Sequence, residues 1–129
     1  MNLFFLIAGA QGPVERFLAD VTPLVPEDKL EVYRGLAGLE ERLRRPRDAC
    51  CAAIVFGPSH EDLEKIVGLR GFFQDAKILL VLGDQSPETI ALAHKLKPTY
   101  ISEFDDGTSG VVSVLKHLVR AASAREGRT

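Results

Sequence analysis

The segment Cys50-Cys51-Ala52-Ala53-Ile54-Val55-Phe56, followed by Gly57-Pro58-Ser59, decides the fold of this chain. Its first seven residues are all non-polar, and an apolar run bounded by turn residues is typical of a strand that is covered on both faces. In an open α/β sheet, ligands and reacting groups lie just beyond the carboxyl ends of such strands. At that end this chain has Phe56, Gly57 and Pro58, whose side chains carry no charge and no nucleophile. The segment predicts a central buried strand without reactive groups at its end.

Composition and length indicate one folded domain. The chain has 129 residues, of which 46% are hydrophobic and 26% are charged, and this length is enough to bury a core. Its net charge of -2 gives no general attraction to nucleic acid or to an anionic membrane, so we expect it to bind neither. The apolar run from Leu3 to Ala10 lacks a preceding basic region, which favours a first strand over a secretory signal.

The adjacent residues Cys50 and Cys51 bear on the cellular compartment. Neighbouring residues of a strand point to opposite faces, so an ordinary disulfide between these two is unfavourable. We therefore expect buried, reduced thiols in a cytoplasmic protein. A vicinal redox pair is the alternative.

Strand-like and helix-like patterns alternate along the whole chain. Strands are predicted at about 3–8, 30–33, 50–56 and 77–82, and from Tyr100 onward. Helices are predicted at about 14–25, 36–43, 60–73, 87–97 and 109–122. Strict alternation implies a parallel sheet with helices on both faces. We expect a doubly wound, flavodoxin-like α/β fold with strand order 2-1-3-4-5, formed by residues 1–123 and followed by a polar tail at 124–129.

Three local details of the helices are also predicted. Ser59 is suited to cap the third helix. Phe17 has the spacing of an inward-facing residue of the first helix. The fourth helix is expected to turn the apolar residues Ile90, Ala93 and Leu96 toward the sheet.

The stretch from Ile78 to Phe104 carries a family resemblance. It combines a strand, the helix start Ser86-Pro87-Glu88, the segment Lys95-Leu96-Lys97-Pro98 and the strand opening Tyr100-Ile101. In this order of elements the chain resembles the receiver domain of two-component response regulators, over about residues 3–119. The resemblance implies a flavodoxin-like fold and a role in signal transduction.

The residues that receivers use for phosphorylation are replaced in this chain. Receivers have two metal-binding acids after the first strand, where this chain has Gly9 and Ala10, and a phospho-accepting Asp at the end of the third strand, where it has Phe56 or Gly57. The Thr or Ser that contacts the phosphoryl group is replaced by Leu82 or Gly83, and the Lys is replaced by Glu103. An aspartyl phosphate needs a carboxylate nucleophile, a divalent cation and a balancing positive charge. The resemblance therefore implies a degenerate receiver, which is not an enzyme, needs neither metal nor cofactor and acts by protein contact.

The resemblance also implies where such a contact lies, since receivers often dimerise through the fourth helix, fifth strand and fifth helix. In this chain the surface would have Tyr100 at its centre. Its polar side chains would be those of Glu88, His94, Lys95, Lys97, Lys116 and Arg120. An aromatic centre with a polar rim suits a specific interface. The expected partner is a signalling protein or a second copy of the chain, and an ordinary solvated surface is the alternative.

Two ligand hypotheses remain open. The turn Gly9-Ala10-Gln11-Gly12 precedes a helix, where an anion can be held, which would make the chain a nucleotide- or flavin-binding domain. The carboxylates that follow the last two strands could bind a hard cation; they are Asp84, Glu103, Asp105 and Asp106. A pocket over Gly9, Gly57 and Gly83 would favour a small ligand, and a filled apolar rim would favour protein contact.

Overall fold

A computed structural model of the protein describes residues 2–8, 14–45, 51–73, 76–83, 86–103 and 109–126. The described residues form a five-stranded parallel sheet of order β2-β1-β3-β4-β5. The strands are β1 (Asn2–Ile7), β2 (Leu30–Tyr33), β3 (Cys51–Phe56), β4 (Ala76–Leu82) and β5 (Tyr100–Glu103). The helices are α1 (Val14–Val21), α2 (Leu36–Leu43), α3 (His60–Gly68), α4 (Pro87–His94) and α5 (Ser109–Glu126). The predicted doubly wound, flavodoxin-like fold and its strand order are confirmed.

Each face of the sheet has its own apolar core. Leu3, Phe5 and Ile7 of β1 face α1 and α5, which we call the α1–α5 layer. Phe4 and Leu6 face α2, α3 and α4, the α2–α4 layer. The central strand β3 divides in the same way, with Ala52, Ile54 and Phe56 on one side and Ala53 and Val55 on the other. Burial on both faces explains why the deciding segment is apolar without alternation.

The start of α3 confirms the predicted cap. The backbone N–H of Asp62 donates to the Ser59 hydroxyl at 3.1 Å, and the N–H of Ser59 donates to the Asp62 carboxylate at 3.1 Å. This reciprocal pair satisfies two donors that the helix leaves open. The prediction of one helix as far as Phe73 was wrong, because α3 ends at Gly68 and a separate 3-10 helix spans Arg70–Phe73.

Helix α4 is shorter than predicted, and its inner face includes Thr89 in addition to the predicted residues. It ends at His94, three residues before the predicted end. Thr89 and Ala93 are fully buried, Leu96 is 6% exposed, and Ile90 is partly buried and packs against the α2–α4 core. The Thr89 hydroxyl accepts a hydrogen bond from the Ser86 hydroxyl at 2.9 Å. This bond lets a polar residue occupy the inner face at little cost.

Helix α5 extends beyond its predicted end near 122 and reaches Glu126. The extension includes alanine, among the best helix formers, so local propensity favours it. The first part of the predicted polar tail at 124–129 is therefore helical in its backbone, and residues 127–129 lie outside the described part.

Candidate interaction site

The side chain of Phe56, the last residue of β3, points into the core. The Phe56 ring is 0% exposed and lies in the α1–α5 layer. Its centroid is 5.0 Å from that of Phe17, edge to face, and 6.3 Å from that of Phe5. These contacts place an aromatic cluster behind the carboxyl edge of the sheet. At one of the two candidate acceptor positions, the side chain is thus part of the hydrophobic core.

Gly57 is the first residue beyond β3 and has a left-handed backbone, with φ of 67°. Its N–H donates to the carbonyl of Val81 at 2.8 Å, and the N–H of Ala8 donates to the carbonyl of Phe56 at 3.0 Å. The chain then enters the buried Pro58. Glycine adopts this conformation without the strain that a side chain would impose, so the turn itself accounts for Gly57.

The ends of β4 and β5 add one buried apolar residue and one carboxylate. Leu82 is 2% exposed in the α2–α4 layer, and the following Gly83 is exposed. Glu103 is partly buried and lies opposite Leu82 in the register. The described part of this edge is thus lined mainly by filled apolar positions. Gly9 and Ala10 lie outside the described residues, as does the rest of the turn through Gly12, so the nucleotide or flavin hypothesis stays a prediction.

The metal hypothesis also depends on residues outside the description. Asp84, Asp105 and Asp106 are not among the described residues, whereas Glu103 is. Within the described ranges, no three His, Cys, Asp or Glu side chains come together as a metal site would require. The cation site therefore stays a prediction.

The elements of the predicted contact surface lie on both faces of the sheet, with α4 in the α2–α4 layer and α5 in the α1–α5 layer. The six polar side chains of this surface are all exposed; they are those of Glu88, His94, Lys95, Lys97, Lys116 and Arg120. Tyr100 is partly buried and packs against the α1–α5 core. A Cβ at Gly110 would overlap the Tyr100 hydroxyl and lie 3.0 Å from its Cζ. Tyr100 is therefore in close contact with the first turn of α5, while α4 packs on the opposite face of the sheet.

A cleft that the sequence did not predict lies beside this surface, at the amino edge of the sheet. It has a volume of about 400 Å³, and we call it the amino-edge cleft. Its walls are the 3-10 helix Arg70–Phe73, the start of β4 and the turn that follows α4. The lining residues are Arg70, Gly71, Phe73, Ala76, Ile78, Lys95, Leu96 and Lys97.

Backbone hydrogen bonds fix the turn that forms one wall of the cleft. The N–H of Leu96 donates to the carbonyl of Ala93 at 3.1 Å, and the N–H of Lys97 donates to that of His94 at 3.1 Å. The N–H of Thr99 then donates to the carbonyl of Ile78 at 2.8 Å, which joins the turn to β4. Lys97 itself has a left-handed backbone, with φ of 50°. The wall is therefore built from paired backbone groups.

The cleft has a cationic rim and a small apolar floor, and its surface is more polar than apolar. Phe73, Ile78 and Leu96 line it and are 4%, 5% and 6% exposed. The side chains of Arg70, Lys95 and Lys97 also line it and are exposed. Among the described residues, the lining contains no acidic side chain. Such a site has the chemistry to bind an anionic group that is attached to an apolar body.

The sequence indicated the orientation of some of the residues that line this cleft. Helical spacing identified Lys95 and Lys97 as outward-facing and Leu96 as inward-facing, which agrees with their exposure. Arg70 was missed because it was predicted to lie within a continuous helix. Arg70 lies in the 3-10 helix that follows α3, and the packing of α3 beside α4 brings this helix to the cleft.

A second polar cluster that the sequence did not reveal joins β2 to α2. The Tyr33 hydroxyl donates to Glu31 Oε1 at 2.6 Å, and Arg42 Nε donates to the same oxygen at 2.9 Å. The Arg42 guanidinium lies 5.2 Å from the centroid of the Phe4 ring. Burial, followed by the hydrogen bond to Glu31, raises the pKa of Tyr33 to about 12. These contacts tie α2 to β2, the outer strand of the sheet. Because of its raised pKa, the Tyr33 hydroxyl stays protonated near neutral pH.

None of the helices in the described ranges has the length and apolar character that crossing a membrane requires.

Known proteins offer no match from which a function could be transferred to this chain. No family model, curated protein or solved structure matches the chain.

Proposed function

We propose that this chain is a non-catalytic, cytoplasmic regulatory domain of the receiver type, which acts by binding a protein partner and is not phosphorylated on aspartate. The observation that carries the proposal is the Phe56 ring, which is buried against Phe5 and Phe17 at the end of the central strand. In a phosphorylated receiver, this strand end presents a carboxylate. Farther along the chain, the stretch from Ile78 to Phe104 keeps the receiver order of elements.

The chemistry of an aspartyl phosphate supports the same proposal. The reaction needs a nucleophilic carboxylate beside a divalent cation. Neither the buried Phe56 ring nor Gly57 supplies that carboxylate. Leu82 and Gly83 also lack the hydroxyl that would contact a phosphoryl group. A domain with these substitutions is suited to work by contact alone.

The exposed side of α4, with β5 and α5, is the proposed contact surface. It presents Lys95 and Lys97 at the end of α4 and Lys116 and Arg120 on α5. The amino-edge cleft opens beside the two lysines of α4. A specific interface combines a desolvated apolar centre with a polar rim, and a cleft with an apolar floor offers such a centre. The partner is a signalling protein or a second copy of this chain.

Affinity capture with charge-reversed variants tests this proposal. The tagged protein is compared with Lys95→Glu and with Lys116→Glu/Arg120→Glu, and self-association is followed by sedimentation. The matched control is Lys65→Glu on α3, since the Lys65 side chain is 60% exposed and Lys65 does not line the cleft. We expect one specific partner, or the dimer, to be retained by the control and weakened by about tenfold or more in both surface variants. Equal binding by all four proteins would show that this face is not the contact surface.

A further inference from the structure

The amino-edge cleft indicates the chemistry of the partner. We propose that it binds a short acidic segment of a partner protein, with one apolar side chain of that segment on the floor and carboxylates on either side. This inference rests on the proposed function and specifies what the contact recognises. The floor consists of Phe73, Ile78 and Leu96, and the cations are those of Arg70, Lys95 and Lys97.

The cations of the rim differ from the other arginines and lysines of the α2–α4 layer. Arg44 pairs with Glu40 at 2.8 Å, and Lys65 pairs with Glu61 at 3.6 Å. Within the described part of the chain, no ion pair involves Arg70, Lys95 or Lys97. Three positive charges around one cleft attract a segment that carries several carboxylates, and they disfavour a basic one.

The size of the cleft suits a single anchoring side chain. Its volume of about 400 Å³ lies within the range of about 300–1,000 Å³ that is typical of small-ligand sites. One large apolar side chain with its flanking backbone fits such a space, whereas a folded domain does not. The small apolar floor adds to specificity, because a purely charged ligand would leave it exposed to water.

The same observations favour a peptide over nucleic acid. Single-stranded nucleic acid is bound by aromatic rings on which bases can stack, beside a positive groove. The Phe73 ring is 4% exposed and serves as floor. The neighbouring Phe72 is 37% exposed, but the Arg44 guanidinium lies 5.7 Å from its ring centroid. With an overall charge of -2, the chain also has no general attraction for phosphates.

Two glycines allow a matched test of the cleft. Gly71 lines the cleft, and Gly35 caps the start of α2 at the other edge of the sheet. A Cβ built on either residue meets nothing within 4 Å. Gly71→Asp and Gly35→Asp therefore add the same charge without a clash, and only the first places it in the cleft. Aspartate is also well suited to a helix cap, so Gly35→Asp is expected to fold.

The probe is a short fluorescein-labelled peptide in which one leucine is flanked by glutamates, and its binding is measured by fluorescence anisotropy on the full chain. We expect saturable binding that Gly71→Asp weakens by about tenfold and Gly35→Asp by about twofold or less. Replacing the leucine of the probe by glycine should weaken binding by about threefold or more, because the leucine side chain then no longer covers the floor. Melting followed by circular dichroism checks that both variants are folded.

Three results would overturn the inference: no binding, equal weakening by the two variants, or tighter binding of oligothymidylate than of the peptide at the same site. The capture assay separates these from a failure of the proposed function. If the partner is lost in Lys116→Glu/Arg120→Glu but retained in Gly71→Asp, protein contact stands and the cleft is not its site. If the peptide binds the cleft as expected but no partner or dimer is found, the cleft chemistry stands and the proposed function fails.

Discussion

At the scale of single residues, Phe56 links the fold to the proposed function. Its ring contacts Phe17 of α1 and Phe5 of β1, so three elements meet at one aromatic cluster. Aromatic side chains bury large apolar areas, and their pairs are stabilised when edge meets face. A polar residue in place of Phe56 would lose these contacts. The end of β3 therefore stabilises the fold at a place where a receiver carries its reactive group.

Truncation of Phe17 tests the importance of this cluster. Phe17 is 0% exposed, so Phe17→Ala should lower the free energy of unfolding by about 3–5 kcal/mol through the cavity it leaves. Urea unfolding measures the change. Phe72→Ala is the matched control, and because Phe72 is 37% exposed we expect a loss of about 1 kcal/mol or less. Similar losses in the two variants would contradict the assignment of Phe17 to the core.

The raised pKa of Tyr33 predicts a loss of stability at alkaline pH. Burial and the hydrogen bond to Glu31 raise this pKa from 10.0 to about 12. The folded state therefore holds the proton more tightly than the unfolded state, and its stabilisation is complete below pH 10. As the pH rises from 10 toward about 12, the stabilisation is lost.

Comparison with a Tyr33→Phe variant isolates this effect. The chain has two tyrosines, so the variant keeps only Tyr100, and the difference in phenolate absorbance reports Tyr33. We expect the free energy of unfolding to fall more steeply with pH in the native chain than in Tyr33→Phe. Parallel curves for the two proteins, with Tyr33 ionising near pH 10, would show that the hydroxyl is not held by Glu31.

At the scale of elements, the contact between β5 and α5 depends on a glycine. Tyr100 opens β5, and its ring covers Gly110 in the first turn of α5. The strand is at the edge of the sheet, and this ring is a contact that holds α5 against it. The tyrosine expected at the centre of the interface therefore has a structural role as well.

A double-mutant cycle measures this coupling. In Gly110→Ala, the added Cβ would overlap the Tyr100 hydroxyl, which Tyr100→Phe removes. We therefore expect Gly110→Ala to be more favourable in the Tyr100→Phe background than in the native chain, by about 1 kcal/mol in thermal or urea unfolding. A coupling energy near zero would place the tyrosine ring away from the helix. Partner binding is better tested with Tyr100→Phe than with Tyr100→Ala, since the ring is retained.

At the scale of the whole molecule, the two edges of the sheet differ in chemistry. The described carboxyl edge is closed by Phe56, Pro58 and Leu82. The amino edge carries the cleft with its cations, at the C-terminal ends of α3 and α4. Positive charge at these helix ends also interacts favourably with the helix dipoles. In this protein the proposed binding chemistry thus lies opposite the usual position for an α/β sheet.

The response to small phosphodonors is a property of the whole molecule, because the receiver chemistry draws on four strand ends at once. We expect no labelling by acetyl phosphate in the presence of Mg²⁺, under conditions that label a receiver with its acceptor Asp. Phosphate incorporation measured by mass spectrometry gives the result. A base-labile acyl phosphate on any residue at the carboxyl edge, such as Glu103, would refute the proposed lack of phosphorylation.

Much of the fold could be predicted because β1, β3 and β4 are mainly continuous apolar runs. Alternation of strands and helices indicated a parallel sheet, and the order 2-1-3-4-5 was expected from the flavodoxin-like fold class. The ends of α3 and α4 could not be predicted, since the apolar spacing does not reveal where the backbone tightens into three-residue hydrogen bonds, such as those from Leu69 to Ile66 and from Leu96 to Ala93. The same limit applies to the candidate site. Lys95 and Lys97 could be placed on the surface from helical spacing, but Arg70 joins them only through packing of one helix against another.

The left-handed backbone of Lys97 has an evolutionary consequence. A side chain at φ of 50° costs about 1–2 kcal/mol relative to ordinary backbone, and glycine would avoid much of this strain. Selection for stability alone would thus drive position 97 toward glycine, while selection for the charged rim would preserve the lysine. In a library randomised at this position, variants sorted for folding should be enriched in glycine and variants sorted for peptide binding in lysine and arginine. Identical enrichment in the two sorts would mean that fold and recognition do not compete here.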